Sequence, residues 1–301
     1  MRINPRGPQS GAAPKLPSAP PPAMAQGNTG TASDTFGRKQ GAGDRDLPDP
    51  AVLTKDAQSL SYRRVEGGKL FVDGISYDDV IQGSIANCYM MSSFSALAYT
   101  SADVLANAIK DNGDGTFTVA MYSDAPGGGM VSTPQTVDAT VAMSSYGNRS
   151  NYGHARVKEE LWISVLEKAY AQLRGGYDAV GNGGHPGHIF STVLGQQHTW
   201  YTIEQEQPDE LFAALVDATR SRRPMASETH GKDSGVSYNG TGLHAWHSYS
   251  VLGAVEEEGK RFVLMRNPWG NSEPGNDGKN DGSFKIPFEE FMKQFSVVTV
   301  G

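Results

Sequence analysis

The 301 residues carry a single cysteine, a net charge of −7 and 38 % hydrophobic side chains, enough apolar material for one or two packed units but not several. One cysteine excludes an internal disulfide framework, the acidic balance argues against nucleic acid as a partner, and no apolar run approaches the roughly 20 residues of a membrane span.

Residues 1–50 are rich in Pro, Gly, Ala, Ser and Gln, with Pro20, Pro21 and Pro22 in succession and no acidic side chain before Asp34. A stretch so poor in large aliphatic residues is expected to be a disordered leader, and it lacks the apolar core of a secretory signal peptide. It suits either a plain linker or a segment that delivers a bacterial effector into a host cell through a specialised secretion apparatus. Order is expected from about Val52, with a short strand at Lys69 to Val72.

Gln82 to Met91 surrounds the cysteine. Met90, Met91, Phe94, Leu97 and Ala98 follow it at the spacing of one helix face, which puts Cys88 at a helix N-terminus. The free N–H groups and the helix dipole there favour a thiolate. Two readings fit: a nucleophile that ionises more readily than a free cysteine, or a small buried hydrophobe. Leu105 to Ile109 reads as a second short helix. Asp111 to Gly115 then turns into the alternating Thr116 to Tyr122, a hairpin signal; the oxygen spacing of a calcium loop is missing there.

Glu159 to Arg174 presents one broad apolar face, stopped by Gly175. The glycine-rich Gly181 to Gly187 carries His185 and His188, and His198 follows; no Asp, Glu or Cys completes a zinc set nearby. A helix is expected from Asp209 to Arg220, with mostly strands beyond it. The expected division is a helical subdomain over 51–196 and a β-rich one over 197–301.

His247 to Val255 alternates, turns at Glu256 to Lys260 and returns as Arg261 to Asn267. A turn centred near Glu257 sets His247 and Asn267 side by side. Thiol catalysis needs a histidine to take the thiol proton and an amide oxygen to orient the imidazole. An ordinary strand histidine and a turn residue before Pro268 fit the spacing as well. His244, three residues earlier, is expected on the opposite face, away from Asn267.

Taken together the motifs resemble the calpain-type, papain-like cysteine proteases. Gln82-Gly83 through Cys88 is similar to that family's QGxxGDCW box, Leu166 to Tyr170 to its LEKAY helix, His247 to Val251 to its GHAYSV strand, and Asn267 to Gly270 to its NPWG. Asp281 to Phe284 and a helix bearing Phe288, Phe291 and Phe295 resemble the end of its protease core. The resemblance implies an α+β, papain-like fold of two subdomains. It makes Cys88 the nucleophile, His247 the base, Asn267 the orienting residue and Gln82 an oxyanion donor, with Trp269 and Tyr89 shielding the cleft and triad. The substrate would be protein and the site of action cytoplasmic. The chemistry needs no cofactor, although a calcium ion at Val72, Gly74, Asp79 and Glu167 is implied. The same machinery also serves deamidases and acyl transferases, and a silent binding module would keep the fold. Ala86-Asn87 and Tyr89 depart from the Gly-Asp and Trp of the box.

Overall fold

Packing begins earlier than composition predicts. The computed structural model describes residues 44–275 and 278–301; the expected disorder of residues 1–43 lies outside the described residues, whereas 44–50, assigned to the same leader, are docked. Arg45 donates its backbone N–H to the Asp114 carbonyl at 2.8 Å, Leu47 to the Asp138 carboxylate at 2.9 Å, and the Tyr62 hydroxyl to the Pro50 carbonyl at 2.6 Å. Polar groups hold this piece, so its poverty in apolar residues gave no sign of order.

Helix α1 spans Cys88–Ala108 and has its cysteine as first residue. Ser101, at φ −146° and ψ 46°, breaks it, and the second short helix expected around Leu105 lies beyond that kink, ending at Ala108, with Ile109 already in a strand. Tyr89 through Ala98 are all buried, which makes this half of α1 the centre of the first hydrophobic core. Fully burying one such Phe, Leu or Met is worth about 1.5–3 kcal/mol. Helix α2, Trp162–Arg174, ends on Gly175 at φ 89°, a left-handed cap that glycine adopts without strain. The short α3, Tyr177–Val180, and α4, Pro186–Leu194, complete the helical layer.

This first part is less purely helical than expected. Small sheets surround it: Leu60–Arg64 pairs with Thr140–Ser144, Val80–Ile81 with His154–Ala155, and Tyr122–Asp124 with Met130–Ser132. The hairpin expected after Asp111 forms, with Thr116–Val119 between Ile109–Asp111 and Gln135–Asp138. Lys69 to Val72 is not a strand; Lys69 makes one isolated bridge to Glu160.

The second core lies under a six-stranded antiparallel sheet. Its strands are β1 Thr199–Thr202, β2 Met225–Thr229, β3 Ser248–Glu257, β4 Lys260–Arg266, β5 Ser283–Pro287 and β6 Phe295–Val300, in the order β1-β6-β2-β3-β4-β5. Helix α5, Pro208–Arg220, opens on proline at its first turn, and α6 spans Phe288–Gln294. Phe295, expected in that last helix, instead starts β6 and stacks on Phe291 at 4.9 Å.

The period of two along β2 and β3 explains how the two cores meet. Met225, Tyr249 and Val251 face the second core, whereas Ala226 belongs to the first. On that same face the Ser248 hydroxyl lies 2.8 Å from the Ser92 hydroxyl, and the Ser250 hydroxyl donates to the Ser92 carbonyl at 2.8 Å. The seam between α1 and the sheet is therefore polar and fully paired, which fixes where Cys88 sits relative to β3.

Candidate active site

The loop before the helix is tied down on both sides. Gln82 donates its backbone N–H to Pro268 across the molecule at 2.8 Å, and Gly83 admits no side chain, since a Cβ would come within 2.2 Å of the Tyr152 carbonyl oxygen. Ala86 donates to Gly181 at 3.0 Å and accepts from Gly183 at 2.7 Å. Asn87 is buried, and its side-chain N–H donates to Glu167 at 2.6 Å.

These anchors set Cys88 at the start of α1, where the backbone N–H of Ser248 bears on its sulfur. The easy ionisation expected from the helix dipole does not follow. Burial pushes the Cys88 thiol up, and the N–H groups of Ser248 and Tyr89 offset that only in part.

His247 lies one residue before Ser248, and the structure brings it to Asn267. Its Nε2 is 2.9 Å from the Asn267 Oδ1, so that an Nε2–H donates to the amide oxygen and Nδ1 is left as the acceptor. The hairpin reaches this pairing by another register than expected. Its turn is Glu258-Gly259, with Glu257 paired to Lys260, and a bulge between Val251 and Gly253 shifts the ladder by one residue. His247 and Asn267 meet just beyond the ladder's end. Asn267 is itself held: its Nδ2–H donates to the Ser272 carbonyl at 2.8 Å, and its Oδ1 also accepts the Trp269 N–H at 3.1 Å.

Trp269 covers the pair, its ring 4.6 Å from the His247 ring at 46°. His244 is not turned away as expected: its ring lies 6.0 Å from that of His247 and 4.5 Å from Trp269, and its Nε2 is 3.0 Å from the Ser272 hydroxyl. Burial holds the His247 imidazole down at about 4, the Asn267 bond offsetting this in part. Gln82 Nε2 spends one of its two hydrogens on the Ile85 carbonyl at 2.8 Å, which fixes the side chain beside the cysteine loop and leaves one donor.

Tyr89, expected to shield the cleft and triad, lies inward from the nucleophile. It is 4 % exposed, belongs to the first core, and lies under Gly184, where a Cβ would come within 2.6 Å of its ring. Its hydroxyl donates to the Val180 carbonyl at 3.2 Å. Its ring thus supports the 181–184 loop from below.

The calcium set implied by resemblance also needs correction. Glu167 is fully buried with its oxygens engaged by Asn87, by the Gly153 N–H at 2.9 Å and by the Tyr177 hydroxyl at 3.3 Å. The carboxylate beside Val72 is Glu160, which accepts the Val72 N–H at 2.9 Å. Burial, with the carboxylates of Asp79 and Asp73 adding to it, pushes Glu160 up to about 8; burial pushes Asp79 to about 6. The second Glu160 oxygen is buried without a partner. Among the described residues no group of three or more His, Cys, Asp and Glu is arranged to hold a metal.

Sequence reasoning also missed contacts between elements far apart in the chain. His185 and Glu228 meet at 3.4 Å across the seam, and Arg266, buried, donates to the carbonyls of Asp78 at 3.1 Å and Val80 at 2.9 Å.

With this geometry in place, comparison with known proteins is informative. The profile of the calpain family cysteine proteases matches residues 59–277. Calpain-A of Drosophila melanogaster is 26 % identical over 275 residues, 78 % of this chain and 32 % of its own length. The calpain-1 catalytic subunit of Mus musculus is 23 % identical over 268 residues, 77 % of this chain and 36 % of its own. The chain spans about a third of the length of these curated relatives. Among solved structures, a digestive procathepsin L2 proteinase from Tenebrio molitor is similar at 19 % identity, with a TM-score of 0.32, covering 76 % of this chain and 64 % of that one.

Proposed function

Since the chain belongs to the calpain family of cysteine proteases, we propose that it is a cysteine endopeptidase that hydrolyses peptide bonds in protein substrates, with Cys88, His247 and Asn267 as its triad. The observation that carries this is the 2.9 Å contact from His247 Nε2 to Asn267 Oδ1, one residue from Ser248, whose hydroxyl lies 2.8 Å from that of Ser92, one turn along the helix that opens at Cys88.

The Asn267 oxygen holds the Nε2–H tautomer, and Nδ1 then takes the Cys88 proton as sulfur attacks the scissile carbonyl. The oxyanion is met by the Cys88 N–H and by the free hydrogen of Gln82 Nε2; losing one such donor costs about 10²-fold in rate. The imidazolium returns its proton to the leaving amine, leaving a thioester. Water, giving its proton to His247, then displaces the thiolate. Trp269 keeps solvent off the His247–Asn267 bond.

The two cores, one around α1 and one under the six-stranded sheet, support the division into a subdomain that carries the nucleophile and one that carries the base. No helix among the described residues is long and apolar enough to cross a membrane. The lone cysteine suits action in a reducing cytosol, including that of a host cell. Asp79 and Glu160, with main-chain oxygens such as those of Val72 and Gly74, suit a calcium ion, which would neutralise their charge and brace the loop before Gln82.

Thiol-probe labelling and intact-mass analysis test the proposal together. An epoxide probe should label Cys88, and His247→Ala should slow substrate cleavage by at least about 10²-fold. Cleaved fragments from a protein substrate are the expected product; a gain of about one dalton per modified glutamine, or a cross-link, would replace hydrolysis of the peptide bond by deamidation or acyl transfer.

A further inference from the structure

One carboxylate near the nucleophile has no part in this chemistry. Glu228 is on β2, opposite Ser248 in the ladder to β3, and it is two residues beyond Ala226, on the face that belongs to the first core. It therefore looks toward α1 from the same strand position that presents the Ser248 N–H to Cys88. Its negative charge adds to the upward shift of the Cys88 thiol.

From the other subdomain His185 closes on the same spot. The 181–183 segment is bonded to Ala86, two residues before the nucleophile, and His185 follows it as the residue that caps α4. Its Nδ1 stands 3.4 Å from the Glu228 carboxylate, and the two side chains are 74 % and 22 % exposed. The contact is long and the imidazole open to solvent, so the carboxylate keeps acceptor capacity toward the cleft. Among the described residues no lysine or arginine pairs with Glu228.

A half-buried carboxylate whose ionic partner is a solvent-open imidazole, set opposite the residue that follows His247, has room for a positive partner. We propose that Glu228, flanked by His185, forms a subsite that selects a lysine or arginine side chain in the substrate close to the scissile bond. This rests on the proteolytic reading and names the substrate class for it. The long stem of either residue packs along the Gly183-Gly184 backbone while its head reaches the carboxylate, a charge-assisted bond stronger than a neutral one.

The test is cleavage of a mixed peptide library by the full chain with calcium present, read by mass spectrometry against a Cys88→Ala control. Lysine and arginine should be enriched about tenfold or more at one fixed position within three residues of the cleaved bonds. Glu228→Gln, which keeps the shape and removes the charge, should erase that enrichment, and Glu228→Lys should turn it toward acidic residues. Because enrichment is a ratio within one variant, any effect of the charge on thiol reactivity cancels. Cleavage with no basic preference, or a preference that survives Glu228→Gln, overturns the subsite and leaves the protease reading intact. Absence of cleavage above the Cys88→Ala background overturns the protease reading, and the subsite falls with it.

Discussion

The cysteine and histidine are held neutral by the same cause, burial, acting in opposite directions on their pKa values: Cys88 is raised from its ordinary value of 9.0 and His247 lowered to about 4. Both shifts favour the neutral forms, thiol and imidazole, over a stored thiolate–imidazolium pair. Alkylation of the free enzyme by iodoacetamide should therefore climb steadily from about pH 5 to pH 9, following the small thiolate fraction. A plateau beginning below about pH 7 would show a preformed ion pair and contradict the neutral resting state. The stability linkage of His247 has a definite sign as well. Its folded pKa lies below the unfolded 6.5, so the unfolded chain binds more protons, and this group destabilises the fold as pH falls from about 6.5 to about 4.

At the scale of elements, α2 carries two consecutive buried ionic residues that serve different neighbours. Glu167 anchors Asn87, next to the nucleophile, whereas Lys168 reaches the docked segment 44–50 through Asp49 and the small sheet through Asp138, at 2.7 Å. Removing the lysine as Lys168→Met leaves the buried Asp138 charge uncompensated and should cost about 3–5 kcal/mol in chemical denaturation. Labelling of Cys88 in the folded fraction should be unchanged, because Lys168 touches nothing at the site. Asp138 is held down at about 2, so its contribution is complete above the unfolded value of 3.8 and is lost as pH falls through about 2. The helix itself was legible from its apolar face, and His247 and Asn267 from the alternation of a hairpin. The bulge at Leu252 was not legible, because nothing in a run of alternating residues marks which one is left unpaired. Nor was it legible that Glu160, and not Glu167, meets the Val72 N–H, since both sit on the same stretch and only the fold decides which one turns toward that loop.

Across the whole molecule, the two parts meet through Ala226, which β2 contributes to the first core, and through polar ties between distant segments. Arg266, one residue before Asn267, spends its guanidinium on the carbonyls of Asp78 and Val80, and Gln82 closes the same loop onto Pro268. Asp79 lies between the two carbonyls that Arg266 grips, so a cation held by Asp79 and Glu160 would stiffen the loop that positions both Gln82 and Asn267. Such contacts, separated by more than a hundred residues, leave no local pattern in a sequence. Calcium at about a hundredfold excess over its Kd should add about 2.7 kcal/mol of stability, or roughly 5–10 °C in Tm. Glu160→Gln should abolish that rise, while Glu167→Gln should lower Tm with and without calcium and leave the rise in place. The opposite pattern, with the calcium response lost in Glu167→Gln and retained in Glu160→Gln, would return the ion to the buried helix position and break the link between Arg266 and the metal.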